Sequence, residues 1–402
     1  MHNGTHLHIA SHDQILCGSE ELRALFPHTK TSIYLDHASI GPLSVRVRAA
    51  LEAHLLGRSE GAVNTFFQDL ELVKQCRKNL ATLINAESPD RIAFFMNTSD
   101  ALNVVPTGLQ WSAGDRIVVN DLEFPANVYP YWNLKKHGVE LDILPTRDGE
   151  VTPDMIEQAI TDSGGRVRIV SLSAVQFLSG FRADMAAIGA ICKRYGVIFI
   201  VDAIQAAGAV PLDVQAMSID ALACGAQKWL MSTTGLAFLY ITEELQQRVE
   251  QANLGWISVA KPWDFFRYEQ PLSATATRYE NGTLNFPGAI ALGESVKTFL
   301  EIGVSNIERH LQMLTQLLMD GLCENPAFTH VTDFAPERRA GIVSATLADQ
   351  ASGDALCEKF LQRNITISLR DGRLRFAPHC YNTAEEIAQT LDVVRDLTMV
   401  AV

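Results

Sequence analysis

Residues 197–202 read Val-Ile-Phe-Ile-Val-Asp, an apolar and β-branched run typical of a buried strand, closed by an acid. A second apolar segment, Ala-Leu-Ala-Cys at residues 221–224, leads into Gly-Ala-Gln-Lys-Trp at residues 225–229. The chain therefore places a carboxylate, Asp202, at the end of one predicted strand and an amine, Lys228, just after the next. A helix-capping Asp and an unrelated surface Lys would give the same local pattern.

An acid and a lysine at these two places are the groups that pyridoxal phosphate chemistry needs. The lysine amine forms a Schiff base with the cofactor aldehyde. The carboxylate pairs with the pyridinium nitrogen and keeps the ring protonated, so that the ring acts as an electron sink. The pattern indicates Lys228 and Asp202 as candidate catalytic residues and pyridoxal 5'-phosphate as the cofactor.

The segment around this pair alternates short apolar runs with helical patterns from about residue 90 to residue 240. Such alternation predicts an α/β fold with a mostly parallel central sheet covered on both faces. The segment 235–241 follows Lys228 too closely for a crossover helix, so we expect it to be antiparallel. The predicted strands are 91–96, 117–119, 139–144, 167–172 and 197–201, and the predicted helices are 99–110, 128–137, one from Pro153, and 184–195.

After Pro287 the pattern changes to two helices followed by mixed strands and helices, which predicts a smaller α+β domain. We expect a large cofactor-binding domain over residues 31–287, and a small domain made of residues 288–402 together with the N-terminal segment 1–30. The elements predicted here are helices at 289–302, 305–322, 354–363 and after Thr383, and strands at 341–347, 365–369 and 373–376.

Composition limits the class of protein. The 402 residues are 47% apolar and 20% charged, as in globular proteins, and the net charge of −13 argues against a nucleic-acid binder. No apolar run is long enough for a membrane span, and the N-terminus lacks the pattern of a signal peptide. The seven cysteines include no C-x-x-C pair, which fits a reducing compartment without structural zinc. We expect a cytoplasmic protein with no metal site.

The motifs Asp202-Ala-Ile-Gln205-Ala-Ala-Gly and Gly225-Ala-Gln-Lys228-Trp-Leu resemble the two central motifs of the class V aminotransferase family of pyridoxal phosphate enzymes. This family includes cysteine desulfurases, kynureninases and isopenicillin N epimerases, and the overall pattern looks closest to the epimerase-like branch. The resemblance runs from Tyr34-Leu-Asp-His-Ala to Tyr-Asn-Thr383, nearly the whole chain. It implies the aspartate aminotransferase-like fold, fold type I.

Two segments are candidates for holding the cofactor phosphate. Asn-Thr-Ser-Asp-Ala at residues 97–101 follows a predicted strand and opens a helix, where backbone N–H groups and the hydroxyls of Thr98 and Ser99 can bind an anion. Thr98 or Ser99 could instead be an ordinary helix cap. The segment resembles the family's Gly-Thr-Thr-Glu-Ala phosphate loop. Before Lys228 the family has Ser-x-His, whereas this chain has Gly225 and Gln227, whose amide can still donate a hydrogen bond.

The resemblance also implies contacts to the cofactor ring. Phe124 occupies the position of a His that stacks on the ring in cysteine desulfurases, and it can stack but cannot carry protons. Gln205 occupies the position that donates to the phenolic oxygen. Phe177 stands where the family often has a polar Asn, so the resemblance does not extend to the cofactor contact made by that Asn.

A third segment that resembles a phosphate-binding motif of the family also bears on oligomeric state. Glu280-Asn-Gly-Thr283-Leu-Asn is similar to the family's Glu-x-Gly-Thr-x-Asn, in which the Gly-Thr pair reaches the phosphate of the neighbouring subunit. The resemblance therefore implies a homodimer in which Gly282 and Thr283 reach the neighbouring active site. A plain Asn-Gly turn is the alternative.

An amino acid substrate needs a cation for its carboxylate, and a bidentate arginine suits it. Counting back from the Tyr-Asn-Thr motif, Arg375 matches the family's substrate-binding arginine. Arg373, two residues earlier on the same predicted strand, should point the same way. Arg370 is a further candidate, and at least one of the three is expected to be an ordinary surface residue.

The subclass depends on a missing cysteine. Cysteine desulfurases carry a nucleophilic Cys on a loop just upstream of this arginine, whereas residues 368–373 read Ser-Leu-Arg-Asp-Gly-Arg, a tight turn. Cys380, inside the Tyr-Asn-Thr region, is expected to be structural. We expect action at the α carbon of an amino acid, foremost transamination. An epimerase or a β-eliminating C–S lyase is the alternative, with a cysteine desulfurase or a catalytically silent binding relative ranked behind.

Overall fold

The computed structural model describes residues 15–147, 149–349 and 353–399. The helices are α1 Glu20–Ala24, α2 Val45–Ser59, α3 Phe66–Leu83, α4 Thr98–Gly108, α5 Tyr129–Trp132, α6 Pro153–Asp162, α7 Met185–Tyr195, α8 Glu243–Arg248, α9 Phe286–Ile302, α10 Val304–Cys323, α11 Gly353–Gln362 and α12 Ala384–Met399. The strands are β1 Ile33–Tyr34, β2 Ile92–Phe95, β3 Arg116–Asn120, β4 Glu140–Leu144, β5 Val167–Ser173, β6 Ile198–Asp202, β7 Ala221–Gly225, β8 Ala237–Ile241, β9 Phe328–Val331, β10 Val343–Leu347, β11 Ile365–Thr366, β12 Ser368–Arg370 and β13 Arg373–Phe376.

A central sheet of seven strands has the order β2-β8-β7-β6-β5-β3-β4. The pairs among β4, β3, β5, β6 and β7 are parallel, and β8 runs antiparallel to both of its neighbours. This confirms the mostly parallel sheet and the antiparallel strand after Lys228. Because β6 and β7 are parallel neighbours, their carboxyl ends, and hence Asp202 and the residues after Gly225, lie at the same edge of the sheet.

Both faces of the central sheet are buried. Along β7, Leu222 and Cys224 join one core cluster, and Ala221 and Ala223 join a second cluster on the opposite face. This explains why the strands of this sheet are apolar at nearly every position rather than at alternate ones.

A second sheet, with the order β12-β13-β10-β9, has its own core with α10, α11 and α12. The N-terminal strand β1 pairs in parallel with β11, and Asp36 forms an isolated bridge to Ala377. The segment after β1 therefore passes beside the C-terminal sheet before the chain enters α2. The predicted domain bounds remain predictions.

The structure corrects several predicted elements. The helix predicted over residues 128–137 is the single turn α5 followed by a 3-10 turn, Asn133–His137, which ends at Gly138 with φ of +77°. The strand predicted over 365–369 is two strands, because β11 pairs with β1 and β12 pairs with β13.

Two long helices, α2 and α3, and two strands, β1 and β9, were not predicted. In α2 only Val47 and His54 are buried, so its sequence carries no apolar stripe that would reveal a helix. Within the three described ranges, no helix has the length and apolarity needed to cross a bilayer, and no group of three or more His, Cys, Asp or Glu side chains is arranged to bind a metal.

Candidate active site

Asp202 is the last residue of β6, and Lys228 lies three residues beyond the end of β7. The Asp202 side chain is buried, and its Oδ1 accepts a hydrogen bond from the Ile204 N–H at 2.9 Å. Burial raises the pKa of Asp202 and lowers the pKa of Lys228, while each group's charge opposes the shift of the other. The sheet edge thus brings together a buried acid and an amine that loses its proton more readily than a surface lysine, as a nucleophilic amine must.

Gln205 is held firmly beside this pair. Its Nε2 donates to the Ala38 carbonyl at 3.0 Å, and its Oε1 accepts from the Trp229 Nε1 at 2.7 Å. An amide nitrogen has two N–H groups, so one remains for the phenolic oxygen of a cofactor ring. Through these two hydrogen bonds, Gln205 links Trp229, the residue after Lys228, to Ala38 in the segment that follows β1.

Two of the candidate phosphate residues, Thr98 and Gln227, converge beside Gly225. Asn97, rather than Thr98 or Ser99, caps α4, since its Oδ1 accepts from the Asp100 N–H at 2.9 Å. In the described part of the chain neither the Thr98 nor the Ser99 hydroxyl has a hydrogen-bond partner. A Cβ atom added to Gly225 would lie 2.7 Å from Gln227 Oε1 and 2.9 Å from Thr98 Oγ1, so these polar groups face a common point.

The Thr98 hydroxyl, the Gln227 amide and the N-terminus of α4 lie around one point and form a cradle suited to a phosphate. The residues present therefore fit pyridoxal phosphate, and the fit explains why this chain has glycine where the family has serine. The Thr98 hydroxyl and the Gln227 amide already occupy the space that a side chain at position 225 would need.

Gly225→Ala should lower the affinity for pyridoxal phosphate by roughly tenfold, because the added methyl displaces Thr98 and Gln227 at the cost of an overpacked site. Titration of cofactor-free protein with the cofactor, followed by visible absorbance, measures this. Gly57→Ala is a matched control, since a Cβ there meets its nearest neighbour at an ordinary 3.6 Å. Unchanged affinity in Gly225→Ala would remove Thr98 and Gln227 from the phosphate site.

Phe124 lies over the amine. The Lys228 Nζ is 5.6 Å from the centroid of the Phe124 ring, which is 43% exposed. The Phe177 ring meets Phe124 edge-on, with centroids 5.3 Å apart at 78°. A flat aromatic face near Lys228 is what a cofactor ring requires as a stacking partner.

Glu123, which sequence reasoning did not select, organises a buried polar network next to Phe124. Its carboxylate accepts from the backbone N–H of Ser173 at 2.8 Å and from the amides of Asn120 and Asn127 at 2.6 and 3.0 Å. Ser173 is the register partner of Asp202, and the Glu123 charge contributes to raising the pKa of Asp202. The one sequence signal that could have indicated Glu123 was its position just before Phe124.

Arg375 is buried and almost fully engaged by the protein. Its Nη1 donates to the Phe177 carbonyl at 2.8 Å, and its Nε donates to Ser368 Oγ at 3.2 Å. Its Nη2 donates to Ser39 Oγ at 2.7 Å and contacts the Asp36 carboxylate at 3.4 Å. Burial lowers the pKa of Arg375 to about 10, which leaves it a cation at neutral pH. Asp36 and Ser39 were not selected as site residues, although they lie in and beside the Tyr-Leu-Asp-His-Ala motif.

The second arginine at this place is Arg370. It is exposed, its Nη2 donates to the same Ser39 Oγ at 3.1 Å, and its charge, like that of Arg375, lowers the pKa of Lys228. Arg373 pairs across the strands with Arg370, and within the described ranges it has no side-chain contact with Ser39 or Lys228. The structure therefore brings Arg375 and Arg370 together near the amine, whereas among the described residues Arg373 does not share their contact with Ser39.

Gly282 and Thr283 lie at the surface, away from the contacts of Lys228. They line a cavity of about 490 Å³ together with Asp100 of α4. Their loop is anchored by the buried Glu280, which pairs with Arg77 at 2.6 Å and accepts from the Phe94 N–H at 2.7 Å. Within one chain this segment does not complete the site around Lys228.

The turn between β12 and β13 has the tight geometry that the sequence predicts, with positive φ at Asp371 (+47°) and Gly372 (+72°). Cys380 is fully buried, and burial raises the pKa of its thiol well above the ordinary value. Cys224 lies close enough to Asp202 and Lys228 to feel their charges, but its thiol is also buried and its pKa is likewise raised. Neither thiol is an exposed nucleophile.

Comparison with known proteins defines the family. The family model for aminotransferase class-V matches residues 33–395. A probable cysteine desulfurase of Methanothermobacter thermautotrophicus is 28% identical over 93% of this chain and 96% of the relative. Another, of Pyrococcus abyssi, is 30% identical over 94% of this chain and 97% of the relative. The apo structure of a cysteine desulfurase from Thermococcus onnurineus NA1 superposes with a TM-score of 0.86 at 25% identity, over 96% of this chain and 99% of that one.

The chain belongs to the class V aminotransferase family and is a pyridoxal phosphate-dependent enzyme with the family's fold. A Bacillus subtilis relative, 27% identical over 94% of this chain and 98% of its own length, is described as an uncharacterized aminotransferase, YcbU. The names of the relatives thus include the desulfurase activity that the sequence analysis ranked behind transamination.

Proposed function

We propose that this enzyme is an aminotransferase that acts on an amino acid through its α-amino group and carboxylate. The observation that carries the proposal is the set of side chains around Lys228. Phe124 and Phe177 line the site, Asp202 is buried beneath it, and the turn at Asp371 bears no cysteine.

Lys228 is the proton carrier of the proposed reaction. Bound pyridoxal phosphate supplies an aldehyde that condenses with amines and a ring that accepts the electron pair released at the α carbon. The Lys228 amine, whose pKa burial lowers toward neutrality, can remove the α-proton and return it to a second atom. Transamination needs only one such group, whereas epimerisation commonly uses a second, and Phe124 and Phe177 cannot serve as one.

Desulfuration through a persulfide needs an accessible thiolate on the substrate side of the site. Here β12 and β13 are joined by the two-residue turn Asp371–Gly372, and Cys224 and Cys380 are buried with raised pKa values. The similarity to cysteine desulfurases supports a sulfur-containing amino acid as the second candidate, which would make the enzyme a β-eliminating C–S lyase.

The products separate these two reactions. The purified holoenzyme is incubated with single amino acids and an α-keto acid acceptor, and products are identified by mass spectrometry. We expect two products: the keto acid formed from the amino acid donor, and the amino acid formed from the keto acid acceptor. Release of pyruvate and ammonia without an acceptor, with sulfide from cysteine or cysteine persulfide from cystine, would instead establish the lyase. Formation of alanine from cysteine, with the sulfur held as a protein persulfide, would establish a desulfurase.

Arg375 and Arg370 are the proposed carboxylate site. Ser39 Oγ takes a hydrogen bond from each guanidinium, so both cations converge on one point while Asp36 offsets part of their charge. Four N–H groups of Arg375 are engaged by the protein, and Arg370 is exposed, so a substrate carboxylate would meet the free donors of both.

Arg375→Lys should lower substrate affinity by roughly one to two orders of magnitude, because a lysine keeps the charge but loses the forked geometry and leaves the Phe177 carbonyl without its donor. The visible absorbance of the cofactor on Lys228 should be unchanged. Arg373→Lys, on the same strand, is the control and should stay within about twofold. Intact affinity in Arg375→Lys combined with a large loss in Arg373→Lys would place the carboxylate at Arg373 instead.

We also propose a homodimer in which Gly282 and Thr283 complete the phosphate site of the partner. What supports this is the separation of their loop from Lys228 within one chain and its firm anchoring through Glu280. The mass in solution, measured by light scattering, tests the dimer. A monomer that binds the cofactor and turns over substrate would contradict it.

A further inference from the structure

Phe177 sits at the tip of a rigid loop. The Gln176 N–H donates to the Phe181 carbonyl at 2.8 Å, and the Gly180 N–H donates to the Gln176 carbonyl at 2.9 Å, which closes the loop. Gly180 has φ of +76°, and a Cβ there would lie 2.4 Å from the Ile342 carbonyl oxygen, so the loop packs directly on backbone leading into β10. The position of the Phe177 side chain is therefore set by the fold.

Phe177 connects the two ends of the proposed site. Its ring meets the edge of Phe124, whose own ring centroid is 5.6 Å from the Lys228 Nζ. Its carbonyl accepts a hydrogen bond from Arg375 at 2.8 Å. A ligand that joins an amine at Lys228 to a carboxylate at Arg375 must therefore pass alongside Phe177.

The surface that the Phe177 side chain offers to such a ligand is aromatic and has no donor or acceptor. An apolar side chain that covers the Phe177 ring gains free energy in proportion to the apolar area it buries, whereas a charged side chain loses hydration there without gaining a partner. We propose that Phe177 selects the side chain of the substrate, and that the enzyme takes α-amino acids with apolar side chains. This inference rests on the proposed function and names its substrate class.

Leucine and aspartate provide a matched pair of similar size, with the same α-amino and α-carboxylate groups. Each is titrated into the holoenzyme, and the change in visible absorbance of the Lys228-bound cofactor gives the affinity. We expect the wild-type enzyme to bind leucine at least about tenfold more tightly than aspartate. Phe177→Asn should reduce leucine affinity about tenfold and leave aspartate within about twofold, whereas Phe177→Leu should keep the preference.

The outcomes are distinct. Equal affinities of the wild-type enzyme for both amino acids, or a preference for aspartate, would overturn the inference without any variant. A preference for leucine that is unchanged in Phe177→Asn would show that another residue selects the side chain. An absence of absorbance change with both amino acids would overturn the proposed function, and this inference with it.

Discussion

Replacing Lys228 by alanine should reduce turnover by at least about 10³-fold, because the variant loses both the amine that holds the cofactor and the base that moves the α-proton. Pyridoxal phosphate should still bind weakly through the cradle around Gly225. Activity on the preferred amino acid and the visible absorbance of the purified protein are the two measurements, and both should be lost together.

A chemical label locates the amine independently of any variant. Borohydride reduction of the wild-type holoenzyme should fix the cofactor to Lys228, as found by peptide mapping. Lys78→Ala is the matched control, since Lys78 lies on the exposed side of α3 and its loss should change neither absorbance nor activity. A label on another lysine would refute the assignment.

The residues of the central sheet were the most predictable part of this protein. Strands buried on both faces, such as β6 and β7, are apolar at nearly every position, and the sequence shows this directly. By contrast, α2 buries only two residues, and its helical form depends on packing against α9 rather than on a local pattern. The break between β11 and β12 was equally hidden, since it arises from pairing with the distant strand β1.

In the candidate site, too, some residues could be predicted from local sequence, whereas others depend on distant contacts. Asp202 ends a strand, and Gln205 and Lys228 come soon after strands, so their convergence follows from the order of the sheet. The pairing of Arg370 rather than Arg373 with Arg375 does not follow from strand alternation. It depends on Ser39, which lies more than 300 residues earlier in the chain and accepts from both guanidinium groups. Long-range contacts of this kind leave no local signal.

Asp202→Asn should cost several kcal/mol of transition-state stabilisation, on the order of the loss of a major preorganised electrostatic group. Asparagine keeps the shape and can still accept the Ile204 N–H, but it has no charge to keep the pyridinium nitrogen protonated. We expect turnover to fall by roughly 10²- to 10³-fold while the cofactor remains on Lys228. Steady-state kinetics measures turnover, and the absorbance spectrum shows whether the cofactor remains on Lys228. Near-normal activity would mean that another acid performs this task.

The stability of the cofactor-free protein distinguishes this electrostatic role from a structural one. Burial raises the pKa of Asp202 from 3.8 to about 7 in the folded state, so the folded chain holds a proton there that the unfolded chain releases. The contribution of Asp202 to stability should therefore fall as pH rises from about 4 to 7. An asparagine side chain at this position has no such proton to lose, so thermal unfolding of the Asp202→Asn variant should lack this fall and show at least wild-type stability at pH 7. A variant less stable than the wild type at pH 7 would mean that the carboxylate supports the fold, and that its effect on turnover is indirect.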